Sequence, residues 1–172
     1  MALIYITGVE GSGKSTVCQE LVRRGFDARD MDISIACIHS RETGLPDADI
    51  PDYRLRTKEW TDQHSWRIIP DEIIDLARES KGKTIYLCGT ADNEEDFLTF
   101  FDKVVALHAD KATVKQRMLS RKGKNNYGKV AFELDIVFDK YRDIDAKYKR
   151  MNAKVIDATQ PISKIVGEIV GE

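Results

Sequence analysis

Leu3-Ile4-Tyr5-Ile6-Thr7-Gly8-Val9-Glu10-Gly11-Ser12-Gly13-Lys14-Ser15-Thr16 is an unbroken apolar run that ends in a glycine-rich turn carrying one lysine and several hydroxyls. The run lacks polar alternation, as expected of a parallel strand buried on both faces. Gly8 to Ser15 fits the pattern G-x-x-x-x-G-K-[ST], and Val17, Cys18, Leu21 and Val22 then recur at helical spacing up to Gly25, a helix stop. Strand, turn and helix are the context in which this pattern binds phosphate. Gly8, Gly11 and Gly13 let the backbone wrap closely, so that the N–H groups of the loop, Ser12 among them, point at phosphate oxygens beside a positive helix end. Lys14 is placed to bridge the β- and γ-phosphates of ATP, Ser15 to ligate Mg²⁺ and Thr16 to donate to the α-phosphate. A plain glycine turn with an exposed lysine would explain the residues, but not the strand and helix on either side.

Outward from this loop, short apolar runs recur at Phe26 to Asp30, Thr84 to Cys88, Lys103 to His108 and Lys154 to Ile156. Helical patterns separate them: Ile69 to Ala77, Val114 to Met118, a long one from Val130 to Tyr148, and a last one opened by Pro161. Alternation of this kind predicts α/β structure, a single domain over 1–172 in a three-layer P-loop NTPase fold. Its sheet should have five mainly parallel strands with helices on both faces. Residues 33–80 are too many for a plain crossover and predict a helical, substrate-binding insertion.

Composition narrows the function. With 42% hydrophobic and 33% charged residues in 172, the chain should fold as a globular protein and bury roughly 70% of its unfolded surface. Lys plus Arg number 27 against 29 Asp plus Glu, a net charge of -2, so a nucleic-acid partner is not expected. Cys18, Cys37 and Cys88 are odd in number and sit in apolar stretches, which argues for reduced core residues. Ala2 to Ile6 is too short for a signal peptide or membrane span, so a cytoplasmic protein without a membrane partner is expected, as a monomer or homodimer.

No N-K-x-D or D-x-x-G string of a GTPase occurs. The phosphate loop, Asp30-Met31-Asp32, Arg117-Met-Leu-Ser-Arg121 and Ile156-Asp157-Ala-Thr159-Gln-Pro161 together resemble the nucleoside-monophosphate-kinase-like P-loop kinases, which include adenylate, shikimate and gluconate kinases. The resemblance covers most of the chain, unevenly. It implies that one carboxylate of Asp30 and Asp32 supports Mg²⁺ and the other meets the acceptor hydroxyl, with Asp30 the catalytic choice and a metal ligand beside Ser15. It also implies that Arg117 and Arg121 open a lid over 121–129, one against adenine and one on the phosphates, and that the turn holding Thr159 and Pro161 meets the adenine edge. Of the glycine triplet of shikimate kinases only Gly89 clearly matches, and the long lid of adenylate kinases is missing. Arg142 is a candidate for a further phosphate contact.

Trp60, His64 and Arg67 fall at i, i+4 and i+7, the spacing of one helix face, and with Arg54 suit a planar or phosphorylated acceptor. Tryptophans packed in the core would show the same spacing. The expected function is transfer of the γ-phosphoryl group of Mg-ATP to a nucleoside, nucleotide or hydroxylated metabolite. A regulatory ATP-binding module and a polynucleotide 5′-hydroxyl kinase remain as alternatives.

Overall fold

The computed structural model describes residues 1–52, 55–121 and 127–171. Strand β1 (Leu3–Thr7) is buried at every residue because it lies in the middle of a five-stranded sheet. After the phosphate loop come α1 (Lys14–Arg23), β2 (Asp27–Asp30) and a short α2 (Met31–Ser34). The insertion follows with β3 (Ala36–Ser40), α3 (Lys58–Asp62), β4 (His64–Ile68) and α4 (Pro70–Glu79). The chain returns through β5 (Ile85–Cys88), a 3-10 segment (Glu94–Phe100), β6 (Lys103–His108) and α5 (Lys111–Ser120). Then come α6 (Ala131–Lys140), a 3-10 turn (Tyr141–Asp143), α7 (Ile144–Arg150), β7 (Lys154–Asp157) and α8 (Ile162–Val170).

The sheet order is β2-β5-β1-β6-β7 and every pairing is parallel. All five strands read from the sequence are present. Side-chain alternation along β1 divides the core into two layers. Ile4 and Ile6 pack with Val17 and Leu21 of α1 and Ile165 and Ile169 of α8 on one face. Leu3 and Tyr5 pack with Ile73 and Leu76 of α4 and with Met31 on the other. The edge strand β2 is only half-buried, and Arg29 fastens it to α4 through Glu79 at 2.6 and 2.7 Å.

Two local readings change. The long helix expected from Val130 to Tyr148 is broken at Tyr141–Asp143, where a 3-10 turn redirects the chain into α7. The insertion carries helices but also an antiparallel hairpin, β3 with β4, registered from Ala36 opposite Ile68 to Ser40 opposite His64. The one helix face proposed for Trp60, His64 and Arg67 is therefore incorrect: α3 ends at Asp62, and His64 opens a strand. In a strand the repeat is two residues, so Trp66 joins His64 on one side and Arg67 turns to the other.

Gly89 follows β5 where the chain crosses α2. A Cβ there would lie 2.3 Å from the Met31 Cβ, inside any allowed contact. Gly89→Ala is expected to destabilise the fold by about 1–3 kcal/mol, the usual cost of overpacking. Urea denaturation checks this, and an unchanged midpoint would contradict the close packing of β5 on α2.

Candidate active site

The carboxyl ends of β1, β2 and β5 open into one cleft of about 1350 Å³, walled by the phosphate loop, the hairpin, α5 and α6. Gly8, Gly11 and Gly13 have φ of 151°, 83° and 108°, the left-handed region that favours glycine. Gly13 also precedes α1 with no side-chain cap, and no acidic residue stands in the first turn of that helix. The N–H groups of that turn are therefore open to an anion. Ser12 is buried, and its Oγ has no hydrogen-bond partner among the described residues. Ser15 and Thr16 are exposed on the cleft wall. Lys14 Nζ donates to the carbonyls of Gly8 at 2.7 Å and Val9 at 3.0 Å. Burial pulls its pKa down, against the opposing pull of Glu10 and Glu94.

Asp30 caps α2 by accepting the Asp32 N–H at 3.1 Å. Asp32 lines the cleft, where partial enclosure by the protein and then the Asp30 carboxylate raise its pKa, while the Lys14 charge opposes them. Ser15, Asp30 and Asp32 line the same cleft. No group of three or more His, Cys, Asp or Glu is set to cage a metal among the described residues. A few protein oxygens plus phosphate is the usual setting for Mg²⁺, so these residues fit that ion.

Arg117 donates to the Ser12 carbonyl at 3.1 Å and the Ala158 carbonyl at 2.8 Å, joining the phosphate loop to the loop before α8. Arg121 ends α5 at the cleft wall. Thr159 is turned into its own loop, both its N–H and its hydroxyl donating to Asp157 at 2.8 and 2.6 Å, and Pro161 is exposed ahead of α8. Ala158, Gln160 and Ile162 line the cleft there, and Thr159 and Pro161 do not. Of the lid expected over 121–129, residues 122–126 lie outside the described residues, as does Arg54. Tyr127 lines the cleft, and the Gly128 N–H donates to Glu133 at 2.6 Å.

On the hairpin side Trp60 stacks on His64 at 4.0 Å, with the Arg56 guanidinium 5.0 Å from the Trp60 ring. His64 Nε2 lies 2.7 Å from Asp47 Oδ2. The i, i+4 contact therefore survives the end of α3. Arg67 is not part of the cleft wall, while Trp66 and Gly89 are. Arg142 is 81% exposed and paired with Asp139 at 3.0 Å, away from the cleft.

Two charged pairs escaped the sequence reading. Lys140 Nζ is 2.6 Å from Glu10 Oε1 and 3.9 Å from Asp92. Lys147 is 2.6 Å from Glu94, which is 1% exposed. Glu10 occupies a variable position of the loop pattern, and Glu94 opens the acidic run Glu94-Glu95-Asp96, which reads as a solvated face.

A family model described as an AAA domain matches residues 4–137. No curated protein sequence matches the chain. Among solved structures, shikimate kinase from Acinetobacter baumannii in complex with shikimate is similar with a TM-score of 0.59 and 22% identity, over 99% of this chain and 94% of that one. A gluconokinase from Sinorhizobium meliloti 1021 gives 0.56 and 17%, over 99% and 90%. Deoxyadenosine kinase from M. mycoides with bound dATP gives 0.57 and 15%, over 98% and 97%. Identities this low establish likeness of fold. No described helix is long and apolar enough to cross a membrane. The chain belongs to the AAA-domain family whose model spans residues 4–137, and its fold is that of the nucleoside-monophosphate-kinase-like P-loop kinases.

Proposed function

We propose that this protein is a kinase that transfers the γ-phosphoryl group of Mg-ATP to a small acceptor held between the phosphate loop and the hairpin. The observation that carries this reading is the single cleft that joins an uncapped helix N-terminus, Lys14 and the Asp30–Asp32 pair to the wall of Trp60, His64 and Trp66. A chain that only sensed ATP would have no need of an acceptor wall continuous with the phosphate loop.

Catalysis of phosphoryl transfer is mostly placement and charge neutralisation. The loop N–H groups and Lys14 hold the polyphosphate, and Arg117 fixes the loop by its two carbonyl contacts. Arg121 closes the phosphate end from the cleft wall. Ser15 and Asp30 would hold Mg²⁺, which when bound would neutralise phosphate charge as a Lewis acid. Asp30 is committed in part to its cap, which favours Asp32 as the group that orients the acceptor hydroxyl. Asp32 takes the hydroxyl proton as the new oxygen–phosphorus bond forms and the bond to the β-phosphate oxygen breaks, releasing ADP.

Lys14→Ala is expected to lower turnover by roughly a hundredfold or more, since one preorganised charge contact is worth ~3 kcal/mol. Titration with Mg-ATP, followed by a transfer assay over a panel of nucleosides and hydroxylated metabolites, checks both statements. Unchanged ATP affinity and turnover in this variant would sink the assignment.

The loop also sets a pH dependence of stability. Burial alone would raise the Glu10 pKa, but Lys140 and Lys14 outweigh it and hold the carboxyl down at about 2 against an ordinary 4.5. A depressed carboxyl contributes stability that is present above its unfolded value and lost as pH falls through the folded one. The stability advantage of the wild-type chain over Glu10→Gln should therefore be full at neutral pH and shrink between about pH 4.5 and 2. Urea unfolding across that range measures it, and an advantage that persists or grows on acidification would contradict the ion pair.

A further inference from the structure

Lys140 is the last residue of α6 and lines the same cleft as the phosphate loop. Its ammonium lies 2.6 Å from Glu10 Oε1, and Glu10 stands inside that loop. The other carboxylate oxygen, Oε2, is buried without a hydrogen-bond partner among the described residues. Such a carboxylate opposes a polyphosphate in the loop unless a cation stays between them. Lys14 is held in the same place: Gly8 and Val9 accept from Lys14, and the next residue, Glu10, accepts from Lys140. Both cations therefore rest on three consecutive residues of the loop that must turn its donors toward phosphate.

Arg121 also lines the cleft, so what singles out Lys140 is its pairing with the loop carboxylate. Arg117 spends two of its nitrogens on the carbonyls of Ser12 and Ala158, and Arg142 points away. Lys140 carries a compact charge on a flexible stem, which can move between two nearby anions without rebuilding a planar fork.

On the reading of the cleft as a Mg-ATP site, we propose that Lys140 is a γ-phosphate ligand that exchanges partners. Glu10 holds its ammonium when two phosphates or none are present, and the terminal phosphate of a nucleoside triphosphate takes it over. Lys140 thus separates ATP from ADP, and its return to Glu10 after transfer favours release of the diphosphate.

The test compares the affinities of the full-length chain for a β,γ-imido ATP analogue and for ADP, both with Mg²⁺, by calorimetry. The variants are Lys140→Met, Lys140→Arg and Glu10→Gln, each first shown to melt cooperatively. Lys140→Met should reduce the preference for triphosphate over diphosphate roughly tenfold, the value of one hydrogen bond to a charged group, over and above the weakening of both nucleotides by the unpaired Glu10. Lys140→Arg should recover most of that preference. Glu10→Gln removes the competing anion and should keep or increase it. Equal loss for both nucleotides in Lys140→Met would make Lys140 a fixed neutraliser of Glu10 and overturn the exchange alone. Loss of the preference in Glu10→Gln would do the same. A wild-type chain that binds neither nucleotide would overturn the kinase reading together with the exchange.

Discussion

A carboxylate sealed inside a protein must be supplied with donors or it unfolds its own surroundings, and Glu94 meets that demand by drawing three parts of the chain together. Its Oε2 accepts from the hydroxyls of Tyr5, Thr7 and Thr90 and from the Ala91 N–H, while Oε1 pairs with Lys147 at 2.6 Å. Tyr5 and Thr7 belong to the strand that feeds the phosphate loop. Thr90 and Ala91 follow β5, and Lys147 comes from α7. Breaking a buried pair of this kind typically costs about 3–5 kcal/mol, because the remaining charge has no water to turn to. The position at which the chain enters Gly8 is thus set by a polar cluster as much as by the apolar layers on either side of β1.

The Glu10–Lys140 pair repeats this logic on the other side of the loop. Lys140 and Lys147 flank the 3-10 turn at Tyr141–Asp143, so the break in the helix lets one segment present cations to both the loop and the strand before it. A straight helix would carry residues seven apart along one face, about 10 Å apart along its axis. The second lysine instead pairs with Glu94. The same turn is anchored by the Tyr141 hydroxyl, which donates to the Ala109 carbonyl at 2.7 Å, beyond the end of β6.

β1, β5 and β6 were legible because burial on both faces leaves no room for polar alternation, while the edge strands β2, half-buried, and β7, mostly exposed, carry shorter apolar patterns. The phosphate loop was legible because backbone geometry and charge both constrain its residues. The helix break was not, since Val137, Ile144 and Tyr148 continue the apolar spacing across it and all are buried. The hairpin was hidden for another reason: β3 ends at Ser40 and β4 begins at His64, so no tight turn joins them. Helical spacing from Trp60 to Arg67 was then a coincidence that held for one stacked pair. The two lysine–carboxylate pairs span 130 and 53 residues, and no local pattern encodes a partner at that range.

The Trp66 side of the cleft and the strand that feeds the phosphate loop meet at three consecutive residues after β5, Asp92 to Glu94. Asp92 exchanges hydrogen bonds with the Trp66 backbone, its N–H donating at 2.8 Å and its carboxylate accepting at 3.2 Å. Asn93 does the same for Ile68, its Oδ1 accepting at 2.8 Å and its Nδ2 donating at 3.3 Å. Glu94 turns inward to the strand that feeds the loop. Asp92 also lies 3.5 Å from Arg41 on the hairpin side and 3.9 Å from Lys140 on the phosphate side. The spacing between the Trp66 wall and the phosphate loop is therefore fixed by this short bridge rather than by the course of the insertion. The long connection between β3 and β4 can change in sequence without moving Asp32 relative to Lys14, provided that Trp66 and Ile68 keep their backbone partners. Asp92 thus links β4 directly to the charged cluster around Lys140.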